Sequence, residues 1–366
     1  MRLFLVSADR GIGFDGSKGA SIHLRSLARA LARQGAEVVC LARKTAAATI
    51  APNLTLRPFV GARSILDAAT DFGPPDAIYE RSSLGPSEAH AAARALGVPR
   101  LLEVNAPLFD EASLHRPDTV GPNDREDEEA NWRAADLVFC VSSALVARVR
   151  AARGATDGVR LAWNGCDPEL FRAAPRPEKP AFIAFLGRPK PWHGAVLLAD
   201  VVAGLRAKGF DIRGRVIGGG PGAEAVLDRA LELGIGGFVD ATGDLEQQDA
   251  LRMLGRATLS LAPYPPAGDF YFCPLKVVES MAAGVPTIAA DQGDIAAVLD
   301  DDSLLVPPGD VQAMIASAAG LLESEDRRRR IAERGRSRAF AELTWDKVAA
   351  DVLECARAVG GGRLRP

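Results

Sequence analysis

Short apolar runs without polar–apolar alternation recur along the whole chain, and a helix-like stretch follows most of them. Residues 3–6, 38–41, 77–79, 101–104 and 137–141 are such runs in the first half; residues 181–186, 214–217, 259–262 and 287–290 are their counterparts in the second. A strand that is apolar on both faces must be covered on both. A parallel sheet with helices on either side does this. The first unit of the pattern shows the logic. Residues 21–34 carry Ile22, Leu24, Leu27 and Leu31 at helical spacing, Gly35 ends the helix, and the next apolar run begins at Val38. The fold class expected is therefore α/β, built from doubly wound, Rossmann-like halves.

The halves divide where the pattern breaks. Pro175, Pro177 and Pro180 fall within residues 172–180, which read as an interdomain linker. A length of 366 residues is generous for one domain and comfortable for two. The division expected is residues 1–172, residues 181–340, and a terminal segment 341–366 whose residues 345–359 form an amphipathic helix. Two open α/β sheets of this kind place ligands outside the carboxyl ends of their strands, so a central cleft between the halves is the expected site.

Composition excludes several classes. The net charge of −3 gives no basic surface for nucleic acid. No segment approaches the ~20 apolar residues of a membrane span, so no membrane insertion is expected. Residues 1–7 read as a first strand and are too short for a signal-peptide core. The five cysteines (Cys40, Cys140, Cys166, Cys273, Cys355) contain no C-x-x-C pair, and Cys40 and Cys140 sit in strand runs. Reduced structural thiols and a cytoplasmic setting follow. The acidic run 124–129 reads as a solvated helix start.

Chemistry concentrates in residues 274–286, Pro-Leu-Lys-Val-Val-Glu-Ser-Met-Ala-Ala-Gly-Val-Pro. The order is loop, Pro-led helix of one and a half turns, Gly stop, buried strand. Such a helix start leaves the amides of Leu275 and Lys276 free for a phosphate. Glu279, about one turn on, suits two ribose hydroxyls. Diphosphate on the tip and ribose on the Glu would hold a nucleotide. The plainer reading, a βα unit with a solvated Glu, stays open.

Two other patterns compete for attention. Gly11-Ile12-Gly13-Phe14-Asp15-Gly16 fits G-x-G-x-x-G after a strand, which suggests a nicotinamide oxidoreductase. Yet Arg43 and Lys44, not an acid, end the second strand run, and the helix begins late, near Ser21. This remains a distant alternative. Asp300-Asp301-Asp302 satisfies D-x-D, but its hydrophilic connection reads as a solvated turn, so no metal site is assigned.

Several further pieces stand in a definite order. They are Gly19-Ala20-Ser21-x-His23, residues 103–107 (Glu-Val-Asn-Ala-Pro), Asn164-Gly165-Cys166-Asp167-x-x-x-Phe171, Gly187-Arg188-x-x-x-Trp192-His193-Gly194, Gly218-Gly219-Gly220-Pro221, the 274–286 block and Thr344-Trp345. Together they resemble the retaining GT-B glycosyltransferases of family 4, over nearly the whole chain. The resemblance implies an N-terminal acceptor domain, a C-terminal nucleotide-sugar domain and a last helix crossing back to the first. It implies a nucleotide-sugar donor as substrate, most simply a UDP-sugar carrying a hexose or N-acetylhexosamine, with no cofactor and no metal. Donor-side residues carried over are Gly19, Gly187, Leu245, Phe272, Cys273, Pro274, Leu275, Lys276 and Glu279. Leu245 belongs to the stretch 241–245 expected at the base edge. Arg188 would neutralise the departing diphosphate, and Asn105 would face the sugar. Lys18, His23, Arg81 and Glu103 are acceptor-side candidates. For Arg81 and Glu103 a buried ion pair holding strand ends is the alternative, and the Gly-rich loop 15–21 has turning alone as its alternative.

The chain departs from the family twice. The family's Lys, five residues after the Arg, is replaced by His193. Either Lys190 supplies the charge, or His193 acts as an imidazolium or a neutral donor, or Trp192 and His193 only cap the next helix. The first Glu of the family's pair is replaced by Tyr271, which leaves recognition of the sugar hydroxyls to the 269–273 run. A catalytically silent GT-B binding protein is therefore a second alternative. Residues 1–172 carry no basic amphipathic face. A soluble acceptor, such as an aminocyclitol or another natural-product core, is preferred to a lipid-linked cell-wall or capsule acceptor. Oligomeric state is left open.

Overall fold

The structure, a computed structural model, describes residues 1–16, 18–172 and 177–361. By internal contacts it divides into two compact units. The first comprises residues 1–164, 271–273 and 345–366; the second comprises residues 165–270 and 274–344. The division falls at Gly165, ahead of the linker expected at 172–180, whose residues 173–176 lie outside the described residues.

The first unit runs β1 (Arg2–Ser7), α1 (Gly19–Arg33), β2 (Glu37–Ala42), β3 (Ala48–Ala51), β4 (Leu54–Pro58), α2 (Ala62–Phe72), β5 (Ala77–Arg81), α3 (Glu88–Leu96), β6 (Arg100–Val104), α4 (Leu108–His115), α5 (Asp124–Ala134), β7 (Leu137–Cys140), α6 (Ser143–Arg153) and β8 (Val159–Leu161). Its eight strands lie in the order β3-β4-β2-β1-β5-β6-β7-β8. All neighbours are parallel except β3 and β4. Strand order reverses between β1 and β5, the kind of switch point at which the loops after the two strands part and leave a crevice. Phe4, Val6, Val39, Leu41 and Ile78 form a core on one face with Phe59, Ile65 and the alanines of α3. The all-apolar strands are apolar because helices cover both faces.

The second unit runs β9 (Ala181–Leu186), α7 (Leu197–Ala207), β10 (Ile212–Ile217), α8 (Pro221–Glu232), β11 (Val239–Ala241), α9 (Gln247–Leu254), β12 (Leu259–Ala262), α10 (Leu275–Ala282), β13 (Thr287–Ala290), α11 (Ile295–Leu299), β14 (Leu305–Val306), α12 (Val311–Leu322) and α13 (Glu325–Glu342). Its six parallel strands lie in the order β11-β10-β9-β12-β13-β14. That is the Rossmann arrangement, with its switch point between β9 and β12.

Where the chain enters the second unit, Cys166 bridges to Thr344, at the point where the chain leaves it. The Cys166 amide donates to the Leu343 carbonyl at 2.8 Å. The last helix, α14 (Trp345–Gly360), then packs on α1 of the first unit. Arg33 Nε donates to Asp346 Oδ1 at 2.9 Å across that contact, and the ring of Trp345 meets His23 edge-on at 4.6 Å between centroids. All five cysteines are free and buried. Among the described residues, no helix is long and apolar enough to cross a membrane.

Candidate functional site

In the second unit, several of the side chains singled out by the sequence lie at the switch point. Gly187 and Arg188 follow β9, Gly218 to Gly220 follow β10, and Thr242 to Asp244 follow β11. These three strand ends lie close together. The Gly187 amide donates to the Ile217 carbonyl at 2.9 Å, and the Gly218 amide donates to Thr242 Oγ1 at 3.1 Å. Gly218 has φ of 155°, and a Cβ there would run into the Gly187 carbonyl, so only glycine lets the two turns approach. Arg188 projects into solvent, and its guanidinium pairs with the Asp244 carboxylate. Leu245 is half-buried beside this pair in sequence.

The turn after Arg188 is a single 3-10 turn, Pro191–His193, closed by Gly194 at φ of 65°. Gly194 lies against the Pro263 carbonyl, which ties the segment after β9 to the one after β12. His193 Nδ1 accepts from the Lys190 amide at 3.2 Å, so that nitrogen carries no proton. Its ring lies among Phe185, Trp192 and Tyr264, with centroids 5.9 to 6.3 Å away. Burial, then the positive charges of Lys276 and Lys190, push the His193 pKa down to about 2. In this structure His193 is a neutral ring whose Nε2 holds the proton, which matches the neutral-donor option among those the sequence leaves open. Lys190 is exposed.

Helix α10 supplies the remaining groups. Pro274 stands at its N-cap without a side-chain cap, as the Pro-led start predicts. The helix has eight residues, longer than one and a half turns, because Val277, Val278, Met281 and Ala282 all find core to pack against. Gly284, at φ of 68°, ends it. Glu279 is not a solvated carboxylate. It is 8% exposed and hydrogen-bonded by Gln247, and burial pushes its pKa up to about 8 despite Gln247 and Lys276. Lys276 Nζ is buried and lies 4.0 Å over the centroid of Phe185 and 5.3 Å from that of Tyr264. Burial pushes its pKa down to about 7 against the pull of Glu279.

Phe272 and Cys273 directly precede Pro274 and Leu275 in the chain. They belong to the first unit. Cys273 packs with Leu102, Val104, Cys140 and Trp163, its Sγ accepts from the Asn164 amide at 3.2 Å, and its carbonyl accepts from Asn164 Nδ2 at 2.8 Å. Tyr271, at the position of the family's first Glu, donates its hydroxyl to Glu111 Oε2 of α4 at 2.7 Å.

The acceptor-side candidates of the first unit form a buried network. Glu103 Oε2 accepts from His23 Nε2 and from the Tyr79 hydroxyl, both at 2.8 Å, and Oε1 accepts from Arg81 Nη1 at 3.0 Å. Burial alone would raise the Glu103 pKa, but His23, Arg81 and Tyr79 together bring it down to about 2. The Arg81–Glu103 ion pair of the alternative reading is present, and with His23 and Tyr79 it links β5, β6 and α1; Glu103 and His23 are 3% and 6% exposed. They support the strand ends and leave Arg81, at the rim, closer to solvent. Asn105 follows β6, and its Oδ1 is buried without a hydrogen-bond partner. Lys18 and Gly19 are exposed at the uncapped start of α1, two residues earlier than Ser21; Ser17 lies outside the described residues.

Three weaker patterns resolve. The G-x-G-x-x-G run is a core-anchored turn. Ile12 and Phe14 are buried, the Phe14 amide donates to Thr45 Oγ1, and Arg25 Nη1 holds the Phe14 and Gly16 carbonyls. Its amides do not make an open cradle. Asp300 to Asp302 form a turn in which Asp300 pairs with Arg334 and Arg338 and Asp301 caps the turn at Ser303. The acidic run does open α5, but Glu128 is not solvated: it is buried and accepts from the Leu108 and Phe109 amides at the start of α4.

The fold and this cluster define a two-unit α/β protein with an uncapped helix tip at the switch point of its second sheet. Comparison with known proteins carries the assignment further. Residues 167–338 match the family Glycosyl transferases group 1, and residues 17–170 match Glycosyltransferase Family 4. The chain belongs to the family 4 glycosyltransferases, with the GT-B fold. An MMP alpha-(1->4)-mannosyltransferase of Mycolicibacterium hassiacum is 29% identical over 196 residues, which is 52% of this chain and 46% of that one. A GDP-mannose-dependent alpha-(1-6)-phosphatidylinositol monomannoside mannosyltransferase of Mycobacterium tuberculosis is 25% identical over 238 residues, 61% of this chain and 62% of that one. The chain thus spans about half the length of the curated relatives it matches. Among solved structures, Anabaena HepE in complex with UDP superposes with a TM-score of 0.71 at 14% identity, covering 98% of this chain and 100% of that one.

Proposed function

We propose that the protein transfers a hexosyl unit from a nucleoside-diphosphate sugar to an acceptor hydroxyl, with retention at the anomeric carbon and without a divalent metal. The observation that carries this reading is the uncapped tip of α10 at the β9/β12 switch point, with Lys276 in its first turn and buried Glu279 one turn further. The tip amides and Arg188 take the diphosphate, and Glu279 takes the ribose hydroxyls. As the bond from the anomeric carbon to the diphosphate oxygen breaks, these groups hold the charge left on that oxygen. The oxygen then accepts the acceptor hydroxyl's proton on the same face of the sugar. A fixed set of positive groups at the leaving oxygen does the electrostatic work a metal does elsewhere.

The donor base is read by backbone near Leu245, so UDP and GDP sugars are both candidates. HepE was solved with UDP, and the mycobacterial relative is named for GDP-mannose. For the acceptor we favour a cyclitol hydroxyl. The relative named for a phosphatidylinositol mannoside acts on an inositol-containing acceptor, and exposed Lys18 and rim-lying Arg81 suit a polar, anionic one. The test is turnover of UDP-glucose, UDP-N-acetylglucosamine and GDP-mannose with inositol, inositol phosphate and aminocyclitols, with and without EDTA. One pair should release nucleoside diphosphate and form an axial-linkage product, unchanged by chelation. Donor binding without turnover on any acceptor, or turnover abolished by EDTA and restored by Mg²⁺, would contradict the reading.

A further inference from the structure

Lys276 is held in a way that ordinary packing does not explain. Its Nζ is buried and has no hydrogen-bond partner, although an ammonium carries three donors. Its nearest faces are aromatic: Phe185, at the end of β9, and Tyr264, just after β12. The ammonium therefore rests over the switch point itself, within the same aromatic group that surrounds the neutral ring of His193.

A structural counter-ion role for Lys276 fails on geometry and on charge. Glu279 lies one turn along the same helix, but it is hydrogen-bonded by Gln247 and makes no hydrogen bond to Lys276 Nζ. Burial moves both groups toward neutrality, the lysine down and the glutamate up, which a closed ion pair would oppose. The other charged or titratable groups facing the site are Lys190 and His193, from the turn after β9, and the Tyr264 phenol. None is an anion that could satisfy the ammonium. Meanwhile the residue as a whole is only half-buried, so a change of side-chain rotamer carries Nζ outward past the rings.

We propose that the Lys276 side chain is a direct ligand of the donor's diphosphate, resting on Phe185 and Tyr264 and turning onto the phosphate oxygens gathered at the α10 tip. This rests on the donor-site reading above. It adds the second side-chain cation beside Arg188, a role that His193 and exposed Lys190 do not fill. In the transfer step the anomeric carbon–oxygen bond breaks with its electron pair on the diphosphate, and the new bond forms to the acceptor oxygen. The acceptor's proton ends on the diphosphate. Lys276 exchanges no proton in this step and pairs with the accumulating charge.

The test is calorimetric binding of inorganic pyrophosphate, UDP, GDP and the matching nucleosides to wild type, Lys276→Met, Lys276→Gln and Lys276→Arg at pH 7, with thermal melts of each. Both neutral variants should lose at least about tenfold in affinity for pyrophosphate and for the nucleoside diphosphate that binds. Nucleoside binding should change by less than about twofold, and Tm should hold or rise because a buried charge is removed. Lys276→Arg should recover most of the loss. Unchanged diphosphate affinity in the neutral variants would overturn the proposal while leaving the donor-site reading intact. So would a parallel loss of nucleoside binding and Tm, which marks a structural lysine. If neither UDP nor GDP binds wild type while pyrophosphate binds through Lys276, the nucleotide reading falls and the phosphate ligand stands.

Discussion

Replacing Glu279 by Gln should make the protein more stable and a poorer nucleotide binder at once. The carboxyl is nearly inaccessible and holds its proton up to about pH 8, against an ordinary value of 4.5. The unfolded chain releases that proton from about the ordinary value upward. Stability is therefore lost as pH rises from 4.5 through 8, by an amount on the order of 5 kcal/mol when the shift is taken in full. Gln has the same shape and no charge to desolvate, so the variant escapes most of that penalty at pH 8 and gains little near pH 5. Binding runs the other way. A carboxylate accepting two ribose hydroxyls is worth roughly 1–3 kcal/mol over an amide, or about 5-fold to 150-fold in affinity. Those hydroxyls favour the ionised form, so binding to wild type releases a proton and affinity climbs toward pH 8; in the variant that climb disappears apart from the ligand's own phosphate titration. Thermal melts and calorimetry with UDP and GDP at pH 6 and pH 8 measure both effects. A variant that binds like wild type at pH 8 removes Glu279 from the nucleotide site, and one that is less stable at pH 8 refutes the desolvation argument.

Three further outcomes follow from the same geometry. Arg188→Ala should lower turnover by about a hundredfold or more, as loss of a charge-stabilising donor does, whereas Asp244→Asn, which frees Arg188, should hold or tighten nucleoside diphosphate binding. Weaker binding in Asp244→Asn would place Asp244 itself on the ligand. His193→Gln should keep donor turnover within about tenfold and leave the shape of the pH profile between 5.5 and 8 unchanged, because the wild-type ring is neutral throughout; a wild-type limb that vanishes in the variant would restore the imidazolium. Glu103→Leu should cost about 3–5 kcal/mol in urea unfolding at pH 7, since it strands Arg81 and His23 in a buried site. Wild type should lose that contribution only as pH falls from 4.5 toward 2, and a cost below about 1 kcal/mol would mean that the network carries no load.

Much of the fold was legible because burial on both faces leaves a simple mark. The runs at 181–186, 259–262 and 287–290 coincide with β9, β12 and β13. Strands without that mark were silent. β3 is almost wholly exposed at the sheet edge, β4 alternates, and β8, β11 and β14 have two or three residues each. The α10 tip was readable from Pro274, Lys276 and Glu279, since helix starts have local chemistry. The burial of Glu279 and the resting place of Lys276 were not, because both depend on Gln247, Phe185 and Tyr264, which are distant in sequence. Asp244 as the partner of Arg188 is of the same kind. Residues 271–273 carry no local sign that they pack with the first unit while their neighbours on both sides belong to the second. Glu128 looked like any member of an acidic run, and only the tertiary position of α4 singles it out.

The most direct measurement is a crystal structure with the nucleoside diphosphate that binds. The diphosphate should lie on the Leu275 and Lys276 amides, with Arg188 released from Asp244 and turned onto it. Lys276 Nζ should have left Phe185 for a phosphate oxygen, and both ribose hydroxyls should rest on Glu279. Density for the nucleotide elsewhere, for instance along the Gly11 to Gly16 turn, with Glu279 still bonded only to Gln247, would contradict it.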